Sequence, residues 1–252
     1  MPTQRTALVT GAASGIGLAT TRLLLKDGVT VIMVDRDPTV VAIATELGAS
    51  AGGRASGMVV DLASEENVML LVGGIRQRFG GVDILVNNAG IHPKKNGDKY
   101  YLEETTSELW ASVLAINLTA PFLLSREFIP TMKARKWGRV INISSNSARA
   151  VVPPTGVAYV ASKHGIIGLT HMTAYECATY GVTVNAVAPG PILTGLSTQS
   201  SAANREMITR LVPMGRYGDP MELAAMIQFL ASDAASFITG AVFDVNGGSV
   251  IA

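Results

Sequence analysis

The sequence predicts a single doubly wound α/β domain of Rossmann type, with a mostly parallel seven-stranded sheet and helices on both faces. Three observations predict it. Short solid apolar runs such as Thr6–Thr10, Val29–Val34 and Val82–Val86 alternate with helical stripes, and strands covered on both faces read as such runs. The first run leads into the glycine-rich turn Gly11-Ala-Ala-Ser14-Gly15-Ile16-Gly17 and then into a helical pattern. Polar residues recur where successive strands end, which is where open α/β sheets bind ligands.

Composition narrows the function classes. The 252 residues show no internal repeat and no low-complexity tail, so one domain over 1–252 is expected. Its cofactor half reaches about residue 117, and a catalytic and substrate half follows from about 118. Hydrophobic residues make up 48% and mean hydropathy is +0.33, yet no apolar run reaches the length of about 18 residues that a membrane span needs. A net charge of +1 supplies no field for nucleic acid or an anionic membrane. Cys177 is the only cysteine, so it has no internal disulfide partner and reads as a small buried hydrophobe. The first strand comes within a few residues of Met1 with no long apolar signal region before it, and a cytoplasmic location is expected.

In the first half, Ile16, Ala19, Leu23 and Leu24 share one face of the helix after the glycine turn. Glycines there let the backbone approach a pyrophosphate at the helix N-terminus. The second strand, Val29–Val34, ends in Asp35, about 20 residues past the turn, where a carboxylate accepts from adenosine ribose hydroxyls and repels a 2′-phosphate. NAD is therefore favoured, with NADP possible because Arg36 can pair with such a phosphate. A helix over Pro38–Leu47, a turn over Gly48–Gly53 and a third strand near Ser56–Val60, ending at Asp61-Leu62, come next. Val68, Leu71, Val72, Ile75 and Phe79 form a core-facing helical stripe. The fourth strand runs into Asn87-Asn88-Ala89-Gly90, so Asp35, Asp61 and Asn88 all lie at carboxyl ends of strands.

In the second half, Tyr159 and Lys163 stand four apart on a helix and so share a face. An ammonium there favours the phenolate of a residue whose free pKa is about 10. Ser145, after the strand-like run Arg139–Ser145, is placed to hold a substrate oxygen against that phenol. The polar segment Ile91–Tyr101 reads as solvated surface for Lys94, Lys95 and Lys99, while His92 either overhangs the site or joins that surface. Arg149 reads as an exposed arginine. A helix over Ser107–Lys133 carries an unexpected polar residue, Asn117. His164 and His171, seven apart, are too few for a metal site, and packing explains them. The helix from about Ala158 is apolar nearly all round (Ile166, Ile167, Leu169, Met172, Tyr175), which predicts burial on two sides. A strand over Val182–Ala188, a polar lid over Ser197–Arg205, a helix opening at Asp219-Pro220 and a last strand, Ala241–Val245, complete the chain.

Thr10-Gly11-x-x-x-Gly15-Ile16-Gly17, Asn87-Asn88-Ala89-Gly90, Asn117, Ser145, Tyr159-x-x-x-Lys163 and Pro189-Gly190 occur in one order over nearly the whole length. Together they resemble the short-chain dehydrogenase/reductase family. The resemblance implies a dinucleotide site that includes Gly11, Ser14, Gly15, Ile16, Gly17, Asp35, Asp61, Leu62, Asn88, Ala89, Gly90, Tyr159 and Lys163. Pro189, Gly190, Ile192 and Thr194 would grip the nicotinamide carboxamide. It implies Tyr159 as general acid/base, Lys163 as its tuner and ribose ligand, Ser145 rather than Ser144 on the carbonyl oxygen, and Asn117 in a proton relay through water. It also implies a homotetramer and no catalytic metal. The expected reaction is reversible hydride transfer between NAD(H) and a small secondary alcohol or ketone. The alternatives are an NADPH-dependent 3-oxoacyl thioester reductase and a nucleotide-sensing regulator without turnover.

Overall fold

Alternation along each strand sends successive side chains to opposite faces, and the apolar runs meet that demand by being apolar at every position. In the computed structural model, which describes residues 5–251 apart from the side chain of Leu196, seven strands form one sheet. Residues 1–4 and 252 of the expected domain lie outside the described residues. The strands are β1 (Thr6–Thr10), β2 (Thr30–Asp35), β3 (Ala55–Val59), β4 (Ile84–Asn87), β5 (Gly138–Ile143), β6 (Val182–Pro189) and β7 (Val242–Val245). Their order is β3-β2-β1-β4-β5-β6-β7, and all six neighbouring pairs are parallel. The order reverses direction between β1 and β4, and a crevice opens there at the carboxyl ends.

Two apolar cores follow. Ala7, Val9, Val31, Met33, Ile84 and Val86 pack on one face beneath α1 (Gly15–Lys26), α2 (Thr39–Ser50) and α9 (Pro220–Leu230). Leu8, Ile32, Val34 and Leu85 pack on the other beneath α3 (Glu65–Phe79), α5 (Ala120–Arg135) and α6 (Val157–Cys177). Caps set the helix starts, at Asp219-Pro220 as the sequence suggests and at Ser64 as well. The Ser64 hydroxyl accepts from Asn67 N–H at 3.2 Å, and Asp219 accepts from Met221 N–H with Pro220 in the first turn.

Two local expectations need correcting. The α2 helix runs on through Gly48 to Ser50, because Gly48 is buried against Ala55 at the start of β3 and a turn there would open that contact. The expected helix over 107–133 is two helices, α4 (Ser107–Leu114) and α5, joined by a π-helical turn over Ala115–Thr119. Within the single chain the α6 helix turns Ser162, Lys163, Ile166, Thr170 and Ala174 to the interior and leaves Met172 and Tyr175 exposed on its other side. By length and composition the run Ser107–Arg135 matches a membrane span, yet Leu124, Phe128 and Met132 are fully buried in the sheet core, as in the central helix of a globular fold.

Candidate active site

The glycine turn and the β4 turn are stitched together by side chains. The Thr10 hydroxyl accepts from the N–H groups of Asn88 and Ala89, both at 3.0 Å. The Asn88 amide donates back to the carbonyls of Thr10 (2.9 Å) and Gly11 (3.1 Å). Gly11 has a φ of +64°, and Gly17 lies so close that an added Cβ would stand 2.1 Å from the Gly11 carbonyl oxygen. Ser14, the N-cap of α1, makes no side-chain cap bond, so the first turn of that helix offers its amide N–H groups to the crevice. Asp35 ends β2 beside this turn; one carboxylate oxygen accepts from Ala13 N–H at 3.0 Å, the other from Asp37 N–H at 3.1 Å. Asp61 lies two residues beyond β3, exposed, accepting from Ala63 N–H, and Leu62 beside it is buried. An open helix N-terminus, a close-packed glycine turn and a ribose-height carboxylate together fit a dinucleotide.

A cleft of about 200 Å³ continues from this turn. Its lining brings together Ile16, Asn88, Gly90, Ser145, Tyr159, Lys163, Pro189, Gly190, Ile192 and Thr194, all of which the sequence singled out. Gly190 itself is held by packing, since a Cβ there would meet the Asn246 backbone at 2.7 Å. Thr194 leans on the glycine turn, its methyl carbon 3.0 Å from an ideal Cβ on Gly15.

Local bonding separates the two serines after β5. The Ser144 hydroxyl is buried and donates to the Lys163 carbonyl at 2.9 Å, so it is spent on anchoring α6. The Ser145 hydroxyl opens a short 3₁₀ turn, accepting from Ser147 N–H and Ser147 Oγ, and faces the cleft. Lys163 is buried and donates to the Ile143 carbonyl at 2.7 Å; its Nζ stands 5.7 Å from the Tyr159 ring centroid. Burial lowers its pKa to about 8. The same loss of water raises the Tyr159 pKa, with the Ser145 hydroxyl pulling the other way. The net direction is opposite to the lowering expected for this phenol, because burial is the largest cause.

Asn117 sits in the π-helical turn and is buried. Its Oδ1 accepts from Ile91 N–H at 2.8 Å, and its amide donates to the Ile91 carbonyl (3.0 Å) and the Ser162 hydroxyl (3.1 Å). Both amide hydrogens are consumed by protein, so this side chain works as a clamp between the segment after Gly90 and α6. The helix is distorted at this residue, as the resemblance implied.

Segment 91–101 enters the site more deeply than the sequence suggested. His92 is 9% exposed and stacks on Tyr159, with ring centroids 4.3 Å apart and planes at 20°. Its Nε2 accepts from Gly156 N–H at 3.3 Å. Burial, then the charges of Lys94 and Lys163, hold its pKa down to about 3. Lys94 and Tyr217 also line the cleft, and sequence reasoning missed both. The spacing of Lys94 from the Asn87–Gly90 turn was the only available signal. Arg149 pairs with Asp244 at 3.2 Å and does not line the cleft. The expected lid contains α7 (Gly195–Thr198) and α8 (Ala202–Arg210), and it is latched: the Gly97 carbonyl accepts from Ser201 N–H at 3.0 Å and from the Asn204 amide at 3.2 Å.

The depressed His92 pKa makes a stability prediction. Between its folded value of about 3 and the unfolded 6.5, the folded chain binds fewer protons than the unfolded one. The contribution is therefore complete above pH 6.5 and drains as pH falls through that window. Down to pH 4.5 the loss is about 2–3 kcal/mol. His92→Phe, which keeps a stacking ring but cannot titrate, should shrink the pH 7 to pH 4.5 difference in unfolding free energy by about that amount in urea titrations. An undiminished difference would place the acid sensitivity elsewhere.

Comparisons with known proteins agree with this geometry. A family model described as enoyl-(acyl carrier protein) reductase matches residues 11–249. A D-beta-hydroxybutyrate dehydrogenase from Cupriavidus necator is 37% identical over 258 residues, covering 98% of each chain. A solved structure from Beutenbergia cavernae, provisionally named an NAD(P)-dependent gluconate 5-dehydrogenase, superposes with a TM-score of 0.89 at 38% identity, over 97% of this chain and 96% of that one. A 3-oxoacyl-[acyl-carrier protein] reductase from Brucella melitensis with bound NAD gives a TM-score of 0.90 at 34% identity, over 99% and 92%. With its parallel sheet, its glycine turn and its Ser145, Tyr159 and Lys163 in one cleft, the chain belongs to the short-chain dehydrogenase/reductase family, as an oxidoreductase of alcohol or keto groups that uses a nicotinamide dinucleotide.

Proposed function

We propose that the chain transfers a hydride reversibly between NAD(H) and a secondary alcohol or ketone, with Tyr159 as the general acid in reduction and the base in oxidation. The observation that carries this reading is the convergence of Tyr159, Ser145 and Lys163 on one cleft that adjoins the glycine turn. Ser145 holds the substrate oxygen toward the phenol, and Lys163 holds the nicotinamide ribose while its ammonium offsets charge on the phenol. Asn117 acts as a positioning residue, fixing Ile91 against α6 so that the cofactor turn and Tyr159 keep their separation. When bound, the nicotinamide accepts or donates the hydride, and in its oxidised form it adds the positive charge that favours phenolate.

The preference for NAD rests on Asp35, whose carboxylate already draws Ala13 N–H into the turn and would oppose a 2′-phosphate. The relatives named reductases of 3-oxoacyl thioesters support a second reading, NADPH-linked reduction of a thioester, and exposed Arg36 offers that phosphate a partner. One experiment separates the two. The protein should oxidise NADH with a ketone at least about tenfold more efficiently than NADPH, and Asp35→Ala should shift that ratio toward NADPH by about tenfold or more. A wild-type preference for NADPH with an acetoacetyl thioester would overturn the NAD reading. We further propose a cytoplasmic homotetramer, supported by the exposed apolar side chains of α6, Met172 and Tyr175 among them, and by the single buried thiol of Cys177.

A further inference from the structure

Three lysines stand within six residues of one another in segment 91–101, and their fates differ. Lys95 is exposed and paired with Glu104 at 2.7 Å. Lys99 donates to the Pro153 carbonyl and lies over the Tyr101 ring, outside the cleft. Lys94 alone turns inward: it is half-buried, lines the cleft and donates one hydrogen bond, 2.7 Å long, to the Pro154 carbonyl. An ammonium has three donors, so two remain. Among the described residues Lys94 makes no ion pair. Its nearest attractive carboxylate, Asp98, acts on it only at a distance and bonds Lys99 N–H and the Asn204 amide instead. Among the described residues no Asp or Glu lines the cleft.

A partly desolvated ammonium without a counter-ion is a cost that a folded protein normally removes by pairing. Here the pairing partner is missing from the protein side, and the group faces a concave site. The Pro154 carbonyl holds it in the same cleft as the reacting end, where His92, two residues before it, stacks on Tyr159. We propose that Lys94 is the anion-recognition residue of this cleft, and that the alcohol or ketone substrate carries a carboxylate that pairs with its ammonium. A monoanion matches this one free ammonium in a lining whose other hydroxyl groups, Ser200 and Tyr217 among them, are uncharged. A phosphate dianion would call for a guanidinium or a second free cation; among the described lining residues the other cation, Lys163, is engaged by the Ile143 carbonyl, and the Arg205 guanidinium behind Ser200 is spent on the Ser200 carbonyl. The carboxylate would also supply what the neutral His92 ring cannot, a charge to hold one end of the substrate while Ser145 and Tyr159 address the other.

The inference rests on the cleft being the alcohol/ketone site, and its test separates the two. Butyrate and its neutral isostere butyramide would be titrated into the enzyme with NADH bound, read by cofactor fluorescence and calorimetry. Butyrate should bind at least about tenfold tighter than butyramide, Lys94→Gln should abolish that preference, and Lys94→Arg should restore most of it. In turnover, the ratio of kcat/KM for a 3-hydroxy acid over its methyl ester should fall at least about tenfold in Lys94→Gln, mainly through KM. Equal binding of butyrate and butyramide, or a Lys94→Gln variant that weakens both alike, would reduce Lys94 to a tie for the 153–154 turn. Lys94-dependent butyrate binding in a protein that oxidises no alcohol would leave the anion site standing and overturn the catalytic reading instead.

Discussion

Replacing Tyr159 with phenylalanine is expected to cut turnover by about 10³- to 10⁴-fold while leaving dinucleotide affinity within about threefold. The change removes one oxygen and keeps the ring, so the stack on His92 and the helical position over Lys163 survive. Only the exchangeable proton at the substrate oxygen is lost. Lys163 keeps its bond to the Ile143 carbonyl and Ser145 its bonds to Ser147, so the remaining cleft stays in place. Stopped-flow absorbance for turnover and NADH fluorescence for binding measure the two quantities separately. Turnover within tenfold of wild type would remove the phenol from the reaction.

Gly17→Ala is expected to weaken dinucleotide binding by about a hundredfold, roughly 3 kcal/mol. The added methyl would sit 2.1 Å from the Gly11 carbonyl oxygen and 2.8 Å from the Asn88 amide nitrogen. Both belong to the stitch between the glycine turn and the β4 turn: one is backbone, and the other is a side-chain end pinned by two hydrogen bonds to the Thr10 and Gly11 carbonyls. Something in that stitch must shift, which spoils the approach of the backbone to a pyrophosphate. The control is Gly73→Ala in α3, where a Cβ meets nothing within 4 Å and helix propensity alone adds about 0.5–1 kcal/mol of stability. Calorimetric titration with NADH and thermal melting of both variants check the contrast. Undiminished NADH affinity in Gly17→Ala would show that the turn has room the geometry denies.

Much of this was legible from the sequence, and the reason is physical. A parallel strand buried on both faces leaves a continuous apolar run, and the phosphate turn leaves its glycines, so β1, β2 and the Gly11–Gly17 turn could be found from local order alone. Spacing put Tyr159 and Lys163 on one helix face, while their role and the choice of Ser145 over Ser144 came from the family resemblance. Residues whose role depends on distant partners were not legible. Lys94 looked like solvated surface because its direction is set by the Pro154 carbonyl, 60 residues away. Arg149 looked free because Asp244, 95 residues on, is invisible to local pattern. Asn117 betrayed itself as a polar intrusion in a helix, but its bonds to Ile91 and Ser162 depend on the packing of α6. Which side of α6 meets the sheet was likewise not legible, because an apolar circumference does not say it.

The Gly97 carbonyl, which accepts from both Ser201 and Asn204, ties two jambs of one doorway to a single pin. The same short segment grips the opposite jamb through Lys94 on Pro154, Lys99 on Pro153 and His92 on Gly156. Width of the opening and seating of its cover are therefore one variable, not two. A chimera that imports this stretch from a relative inherits both together, and a change of length there resizes the threshold and loosens the door at a stroke.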